Sequence, residues 1–394
     1  PFFAVRSIMD KIDFGKVKEW WGKGERKKEI ALILVVIAVV VLAVMVHLLR
    51  QYKDYSVRSS TERIDSAETN YLDFQGNILK YNRDGAFYTD YDGELIWNYT
   101  YEMQAPQAQM CGNSVLIYDR NGTQLAILSV TGIEGNVRTS LPILDADVSA
   151  SGTTAVLMQD GNTGYVELYD LEGQVLASGE LHGENSGIPI AIALSSDGQK
   201  LMVSMIDLNG GNVKTTISFY DFGRQGEDAI DNLVASYSYS DMVIPQIDFV
   251  KNDKAIAFGD SEIVIFRSNS RFDVGHEIFF QDQIKSVFYN DDYFGVVRDV
   301  AQEDGSLANQ MTVYNMSGYE VFETVLDISY NDIELMRNNE IVISNGKDVN
   351  IYTMQGIKKF AYSFETSIYK IIPGRGSRRY IFLEQDVTEL VTLT

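Results

Sequence analysis

Three consecutive runs decide the fold: TAVLMQD at Thr154–Asp160, GYVELYD at Gly164–Asp170 and QVLASGEL at Gln174–Leu181. Each run is rich in β-branched, aromatic and other apolar residues, which predicts a short strand. The joints between them, 161–163 and 171–173, carry the glycine and polar residues that tight hairpin turns require. The segment therefore predicts three antiparallel strands in succession.

The same three-strand pattern recurs along the chain. It returns at 78–98, 114–141, 201–239, 255–280, 293–325 and 341–364. A short apolar run such as Ile190–Leu194 precedes most of these units. Four strands repeating at a period of roughly 35–50 residues are typical of the blades of a β-propeller. We therefore predict an all-β, eight-bladed propeller, with seven blades or a pair of β-sandwiches as the alternatives.

The last unit, Ser367–Thr394, contains only three strands, SIYKII, RRYIFLE and TELVTLT. A propeller ring must close, because each blade buries its faces only against its neighbours. We expect a segment near 55–66, centred on Tyr55–Ile64, to supply the missing outer strand. Such closure would join the two ends of the domain without a disulfide.

A different pattern precedes the repeats. Ile30 to Leu49 reads IALILVVIAVVVLAVMVHLL, twenty residues without a formal charge, and a helix of this length matches the hydrocarbon thickness of a bilayer. It predicts one transmembrane helix. The alternative, a cleaved signal peptide, would have a shorter apolar region ending in small residues. Residues 1–29 form a basic tail whose apolar positions suit an amphipathic helix or, alternatively, a frayed end.

Basic residues on the two sides of the predicted span indicate its orientation. Seven lie within twenty residues before it: Lys11, Lys16, Lys18, Lys23, Arg26, Lys27 and Lys28. Four follow it: Arg50, Lys53, Arg58 and Arg63. Because retained loops carry the lysine and arginine excess, we expect a single-pass cell-membrane protein with a cytoplasmic N-terminus and an extracytoplasmic domain over 50–394.

Charge and cysteine content narrow the functional classes. The formal net charge is −22 for the whole chain. Residues 1–50 contain nine basic and five acidic residues, so all of the acidic excess lies after the span. A surface this acidic repels nucleic acid and anionic headgroups, so we expect no nucleic-acid partner. Cys111 is the only cysteine, which excludes an intrachain disulfide. A large extracytoplasmic domain without disulfides indicates a bacterial protein.

Two local phrases resemble known propeller repeats. Asp92–Trp97 (DGELIW) is similar to the repeat of propellers related to quinoprotein dehydrogenases, in which the tryptophan packs between blades. Leu194–Leu201 (LSSDGQKL) resembles the turn of TolB-like propellers, in which the aspartate and glycine form a tight turn between two strands. Both resemblances imply a fold and no chemistry.

The whole domain also resembles one family. The matching phrases include Ile78–Tyr81, Leu95–Tyr99, Ile192–Ser195, Ser218–Gly223 and Ser286–Asn290. Over most of 52–394 the chain is similar to uncharacterised membrane-anchored proteins of Gram-positive anaerobic bacteria, grouped as a domain of unknown function. The resemblance implies a short cytoplasmic tail, one span and an outer propeller. It brings no activity, cofactor or binding residue.

The residues that could carry chemistry do not form a recognisable site. His47, His182 and His276 are far apart and lack metal-ligand spacing. We expect His182 to be an exposed loop residue and Cys111 to be a buried thiol, since no base can be nominated to activate it. We assign no catalytic residue, no metal ligand and no cofactor. The sequence does not identify a cofactor-binding residue.

The acidic loops match known calcium-binding loops poorly. The segment Tyr88–Tyr99 spaces its acids like an EF-hand loop but has tyrosine at the first and twelfth positions, so the match fails. The loops Asn290–Asp292 and Asp299–Asp304 could hold a cation, although solvated turn acids are the simpler interpretation.

These observations favour a binding or scaffold module of the bacterial cell envelope rather than an enzyme. We expect loops at one mouth of the ring to engage an envelope protein or a cell-wall glycan. Tyrosine, with 23 residues, would suit such recognition where it is exposed. The alternative is a quinoprotein-like or sugar-active enzyme with acids converging on the central channel. A sensor acting through Pro1–Glu29 is a third hypothesis.

Overall fold

A computed structural model describes residues 32–40, 50–63, 65–66, 68–182, 187–208, 211–224, 226–268, 271–302 and 305–394. The chain divides into two compact units, Pro1–Gln51 and Tyr52–Thr394. In the first unit, residues 32–40 are helical. Within the described ranges, no helix reaches the length and apolar character needed to cross a membrane. Most of the predicted span and the basic tail at 1–29 lie outside those ranges.

The second unit is a β-propeller of eight four-stranded antiparallel sheets. This confirms the all-β, eight-bladed prediction; the seven-bladed and two-sandwich alternatives are wrong. Blade one contains β2 (Asn70–Phe74), β3 (Asn77–Tyr81), β4 (Gly85–Thr89) and β5 (Leu95–Thr100), and blade two contains β6 (Pro106–Cys111), β7 (Ser114–Asp119), β8 (Gln124–Ser129) and β9 (Gly132–Arg138). Blade three contains β10 (Ile143–Val148), β11 (Thr154–Asp160), β12 (Thr163–Tyr169) and β13 (Val175–His182), and blade four contains β14 (Ile188–Leu194), β15 (Lys200–Asp207), β16 (Lys214–Asp221) and β17 (Leu233–Ser240).

Blade five contains β18 (Gln246–Lys251), β19 (Lys254–Phe258), β20 (Glu262–Ser268) and β21 (Phe272–Phe279), and blade six contains β22 (Ile284–Tyr289), β23 (Tyr293–Ala301), β24 (Leu307–Asn315) and β25 (Glu320–Val325). Blade seven contains β26 (Asp332–Leu335), β27 (Glu340–Ser344), β28 (Asp348–Thr353) and β29 (Lys358–Ser363), and blade eight contains β30 (Ile368–Pro373), β31 (Arg379–Glu384), β32 (Val387–Leu393) and β1 (Tyr55–Glu62). A single 3₁₀ turn, Ile230–Asn232, lies between β16 and β17.

The hydrophobic core lies between the blades. All six residues of β7 are buried, whereas the fourth strand of blade one, β5, is largely exposed. In the core between blades four and five, Phe219 stacks on Phe272 with ring centroids 4.4 Å apart. The middle strands are therefore mostly buried, because both of their faces are covered by neighbouring blades.

The turns follow from local sequence. In blade one, the Asp90 side chain accepts hydrogen bonds from the amides of Asp92 (3.0 Å) and Glu94 (2.8 Å), and Gly93 adopts φ 84°. In blade four, the Ser195 side chain accepts the Lys200 amide at 2.9 Å. These side-chain to backbone bonds explain why Asp, Ser and Gly mark the joints of the repeat.

The ring closes through β1, which pairs antiparallel with β32 from Tyr55↔Leu393 to Glu62↔Val387. Strand β1 comes from the start of the domain and lies within the segment expected to complete the last blade. The Tyr55 ring packs against the rings of Phe382 and Tyr362, at 5.1 Å in each case. Both ends of the domain therefore share blade eight.

Arg337 forms a second connection across the closure. It follows β26 in blade seven and forms an ion pair with Asp73 of blade one. Its guanidinium also donates to the Tyr91 hydroxyl at 2.9 Å and to the Pro373 carbonyl of blade eight at 2.8 Å. One side chain thus joins blades seven, eight and one.

Candidate functional site

The channel side of the ring carries carboxylates. Asp145 and Asp147 lie on β10, and they accept hydrogen bonds from the backbone amides of Ile192 (3.0 Å) and Leu194 (2.7 Å) on β14. The innermost strand of a blade has one unpaired edge, whose amides need partners. These two acids therefore serve as acceptors for the edge of the neighbouring blade.

Two further acids extend this group. Asp248 on β18 interacts electrostatically with Asp147, and Asp291, in the connection after β22, interacts electrostatically with Asp248. Burial, reinforced by the Asp248 carboxylate, raises the pKa of Asp147 well above its ordinary range. Burial likewise raises the pKa of Asp248, which the Tyr289 hydroxyl partly offsets by hydrogen bonding. We call Asp145, Asp147, Asp248 and Asp291 the carboxylate cluster.

Cys111 lies near this cluster and also packs against the hydrophobic core between blades two and three. It ends β6 and is partly buried, so the predicted buried thiol is buried only in part. Burial raises the pKa of Cys111, and a hydrogen bond with Ser196 acts in the opposite direction. The thiolate is the reactive form of cysteine, so a raised pKa makes Cys111 a poor nucleophile.

The histidines do not converge on the cluster. His182 is exposed at the end of β13 and not in a loop, and its Nε2 lies 3.6 Å from a Glu180 carboxylate oxygen. His276 is exposed on β21, with its ring 6.2 Å from that of Tyr319. His47 lies outside the described residues.

The acidic loops show local roles. The Asn290 side chain accepts the amides of Asp292 and Tyr293, at 2.9 and 3.0 Å, which closes the turn before β23. Asp299 forms an ion pair with Lys285 at 3.2 Å, and residues 303–304 lie outside the described ranges. Across the described ranges, no group of three or more His, Cys, Asp or Glu side chains is arranged to hold a metal ion.

A large surface groove lies between blades three and four. It encloses about 720 Å³, within the ~300–1,000 Å³ typical of ligand sites. Its apolar lining consists of Val166, Leu168, Ala177, Leu181, Leu201, Val203, Tyr220, Phe222, Ile230 and Leu233. Several of these residues belong to the core cluster between the two blades, so the groove opens directly onto packed hydrophobic core.

A long connection forms one wall of this groove. Residues 222–232 join β16 to β17, whereas the other connections between the third and fourth strands span two to five residues. We call residues 222–232 the lip; Gln225 within it lies outside the described residues. At its tip Ile230 is 85% exposed. An isoleucine this exposed, beside an apolar groove, is characteristic of a contact surface.

The rim of the groove is acidic. Glu180 and Asp231 line it, and the lip adds exposed Glu227 and Asp228 together with one exposed cation, Arg224. Among the described lining residues there is no lysine or arginine. Burial raises the pKa of Tyr220, and the Asp231 charge adds to this effect. The groove therefore combines an apolar floor with a negative rim, which suits a ligand carrying both apolar and cationic groups.

One feature of the sequence points to the groove. The unit 201–239 is longer than its neighbours because of the lip sequence FGRQGEDAIDN, and long insertions in short-turn repeats often carry function. The facing wall, β13 of blade three, is distant in sequence, so the groove itself could not be identified from spacing.

Comparisons with known proteins support the fold. Saccharomyces cerevisiae Sqt1 superimposes with a TM-score of 0.51 at 10% identity, covering 88% of this chain and 99% of that one. BamB from Moraxella catarrhalis gives a TM-score of 0.49 at 14% identity, covering 86% and 100%. The likeness to Sqt1 shows the fold alone. No curated protein matches the sequence significantly. The model of a family of unknown function, DUF5711, matches residues 48–393, and the chain therefore belongs to this family.

Proposed function

We propose that this chain is a single-pass protein of the bacterial cell membrane whose extracytoplasmic propeller binds a protein of the cell envelope. The charge-free run Ile30–Leu49 and the basic excess before it support the anchor and its orientation. The partner segment is basic and amphipathic: its apolar side chains enter the groove between blades three and four, and its lysines or arginines face the acidic rim.

The observation that carries this proposal is the composition of the groove. An aliphatic floor of about 720 Å³ bordered by Glu180 and Asp231 suits a peptide better than a glycan, because glycan sites need polar groups for the sugar hydroxyls. Strand β13 pairs only with β12 among the described strands. Its outer edge therefore offers backbone groups to an extended peptide.

The test compares two exposed apolar positions. A photo-crosslinking residue at Ile230 of the lip should capture an envelope protein in intact cells, and the same residue at Leu307 on β24, 70% exposed, should not. The captured segment, made as a synthetic peptide, should bind at least tenfold more weakly to Ile230→Glu, since a buried isoleucine contributes about 1.5–3 kcal/mol. Leu307→Glu should stay within twofold of the unmodified protein.

Two results would contradict this function. One is equal capture at the two positions, which would mean non-specific contact. The other is peptide binding that is insensitive to Ile230→Glu and to added salt. In a separate pull-down through an N-terminal tag after chemical crosslinking of intact cells, deleting the outer domain should abolish recovery of the partner, and recovery of the same partner by the tail alone would favour the sensor hypothesis.

The carboxylate cluster supports a second candidate, an enzyme using the channel. Its raised pKa values are of the kind that general acids need. We regard a structural role as the better interpretation, because Asp145 and Asp147 already accept backbone amides. Turnover of a cell-wall glycan that disappears in Asp248→Asn would reverse this choice.

A further inference from the structure

A concentrated basic patch lies where the ring of this acidic propeller closes. The connection between β30 and β31 reads GRGSR at 374–378, and Arg379 begins β31. Arg375, Arg378 and Arg379 are exposed, as is Lys53 just before β1. We call these four residues the basic cluster.

The last two residues of the chain bring the cluster together. The Leu393 amide donates to the Arg378 carbonyl, and the Thr394 amide donates to the Asp54 carbonyl, both at 2.9 Å. Lys53, next to Asp54, therefore lies beside the arginine turn although more than 300 positions separate them in sequence. The juxtaposition depends on the ring closure.

None of the four cations is neutralised by an ion pair within the described part of the chain. The nearby Asp54 carboxylate accepts the Tyr55 amide at 2.8 Å instead. The rest of the surface is strongly acidic, with 55 acids against 33 basic residues in the whole chain. Four unpaired cations on one edge of such a protein form a site for an anionic surface.

We infer that the basic cluster binds the phosphate headgroups of anionic phospholipids. This inference rests on the proposed membrane anchor. The predicted span ends at Leu49 and the chain enters the ring at Tyr52, so the intervening residues reach at most about 10 Å. If the proposed anchor spans the membrane, this short link would keep the chain at Tyr52 near the headgroups.

Contact with headgroups would fix the orientation of the ring. Each basic residue at an anionic surface changes the binding equilibrium about fivefold, since it contributes about 1 kcal/mol, and three arginines together change it on the order of 100-fold. A propeller bound to the headgroups at this edge would present the same face to its partner, whereas a propeller attached to the membrane only through its stem could rotate. Locally, this reverses our expectation that the domain avoids anionic lipid.

The test uses the full chain in nanodiscs containing either phosphatidylcholine alone or phosphatidylcholine with phosphatidylglycerol. Modification of Arg375, Arg378 and Arg379 by a neutral dicarbonyl reagent is followed by mass spectrometry. We expect their rates to fall at least tenfold on the anionic discs and to recover in 0.5 M salt. Arg138, exposed at the end of β9, is the internal control and should change less than twofold.

A second arm uses the triple variant R375Q/R378Q/R379Q, with acylation of Lys53 as its readout. Lys53 should become more reactive on anionic discs in the variant than in the unmodified chain. Equal arginine rates in the two lipids, or equal slowing of Arg138, would overturn the inference. Failure of the full chain to enter either disc would instead contradict the anchor. Protection by inorganic phosphate on phosphatidylcholine discs would identify a free-phosphate site and also overturn it.

Discussion

Replacing Tyr55 by alanine should destabilise the ring at its closure. Tyr55 lies on β1 and its ring contacts those of Tyr362, Phe364 and Phe382, at 5.1, 5.9 and 5.1 Å. Roughly 100 Å² of buried apolar surface contributes about 2.5 kcal/mol, and each aromatic pair adds about 0.5–1.5 kcal/mol beyond area, with overlap. We therefore expect the free energy of unfolding to fall by about 3–4 kcal/mol.

Urea unfolding of the propeller would measure this loss. At ~2.1 cal/mol/K of unfolding entropy per residue, the melting temperature should drop by about 5 °C, and amides in β32 should exchange faster. Tyr55→Phe keeps the ring contacts and should stay within about 0.5 kcal/mol. Tyr319→Ala, at a tyrosine that is 68% exposed, is the matched control. If Tyr55→Ala were as stable as Tyr319→Ala, β1 would not hold the ring closed.

Three further predictions concern the ion pair of Arg337 with Asp73, a buried acid and the lip. Arg337→Met should lower the free energy of unfolding by about 2 kcal/mol in urea titration, because it leaves the largely buried Asp73 carboxylate without its cation; an unchanged midpoint would contradict this role. Burial raises the pKa of Glu262 to about 7. Between about pH 4.5 and about pH 7 the folded chain therefore binds a proton that the unfolded chain has released, so this contribution to stability falls as the pH rises through that range. Glu262→Gln should therefore stabilise the propeller by roughly 1–3 kcal/mol at pH 8 and have little effect at pH 5, whereas a pH-independent difference between the two melting curves would refute the assignment. A Cβ at Gly226 would lie 1.6 Å from the Asp221 carbonyl oxygen, so Gly226→Ala should displace the lip and abolish capture at Ile230 while the circular dichroism spectrum of the ring is retained; unchanged capture would show that the lip is not needed.

Much of the fold could be predicted because its determinants are local. The strands at Thr154–Asp160 and Gly164–Asp170 follow from their own composition, and the structure places β11 and β12 there. The turn at Asp92–Gly93 is formed by side-chain to backbone bonds within a few residues. Trp97 contacts the next blade through its Nε1, 3.1 Å from the Val130 carbonyl. Such features need no knowledge of the distant chain.

The candidate sites were poorly predicted for a corresponding reason. In the sequence, Asp147 is one of 55 Asp and Glu residues and nothing distinguishes it from the others. Its pKa is raised because the fold buries it beside Asp248, which lies about a hundred positions later. Likewise, the groove joins Leu168 on one blade to Ile230 on the lip of the next. The placement of the blades against one another depends on contacts between residues far apart in sequence, and no local sequence pattern predicts those contacts.

The sequence alone determined the class of the protein: a repeated four-strand unit, eight blades, an acidic domain and a charge-free run before it. Periodicity and turn chemistry act within a few residues, so they can be read directly. Only the tertiary structure decided which distant residues lie together in a candidate site. The ion pair of Arg337 with Asp73 and the basic cluster of Lys53 with Arg378 join residues that meet because the ring closes. The groove at Ile230 joins side chains of two neighbouring blades that come together only through packing.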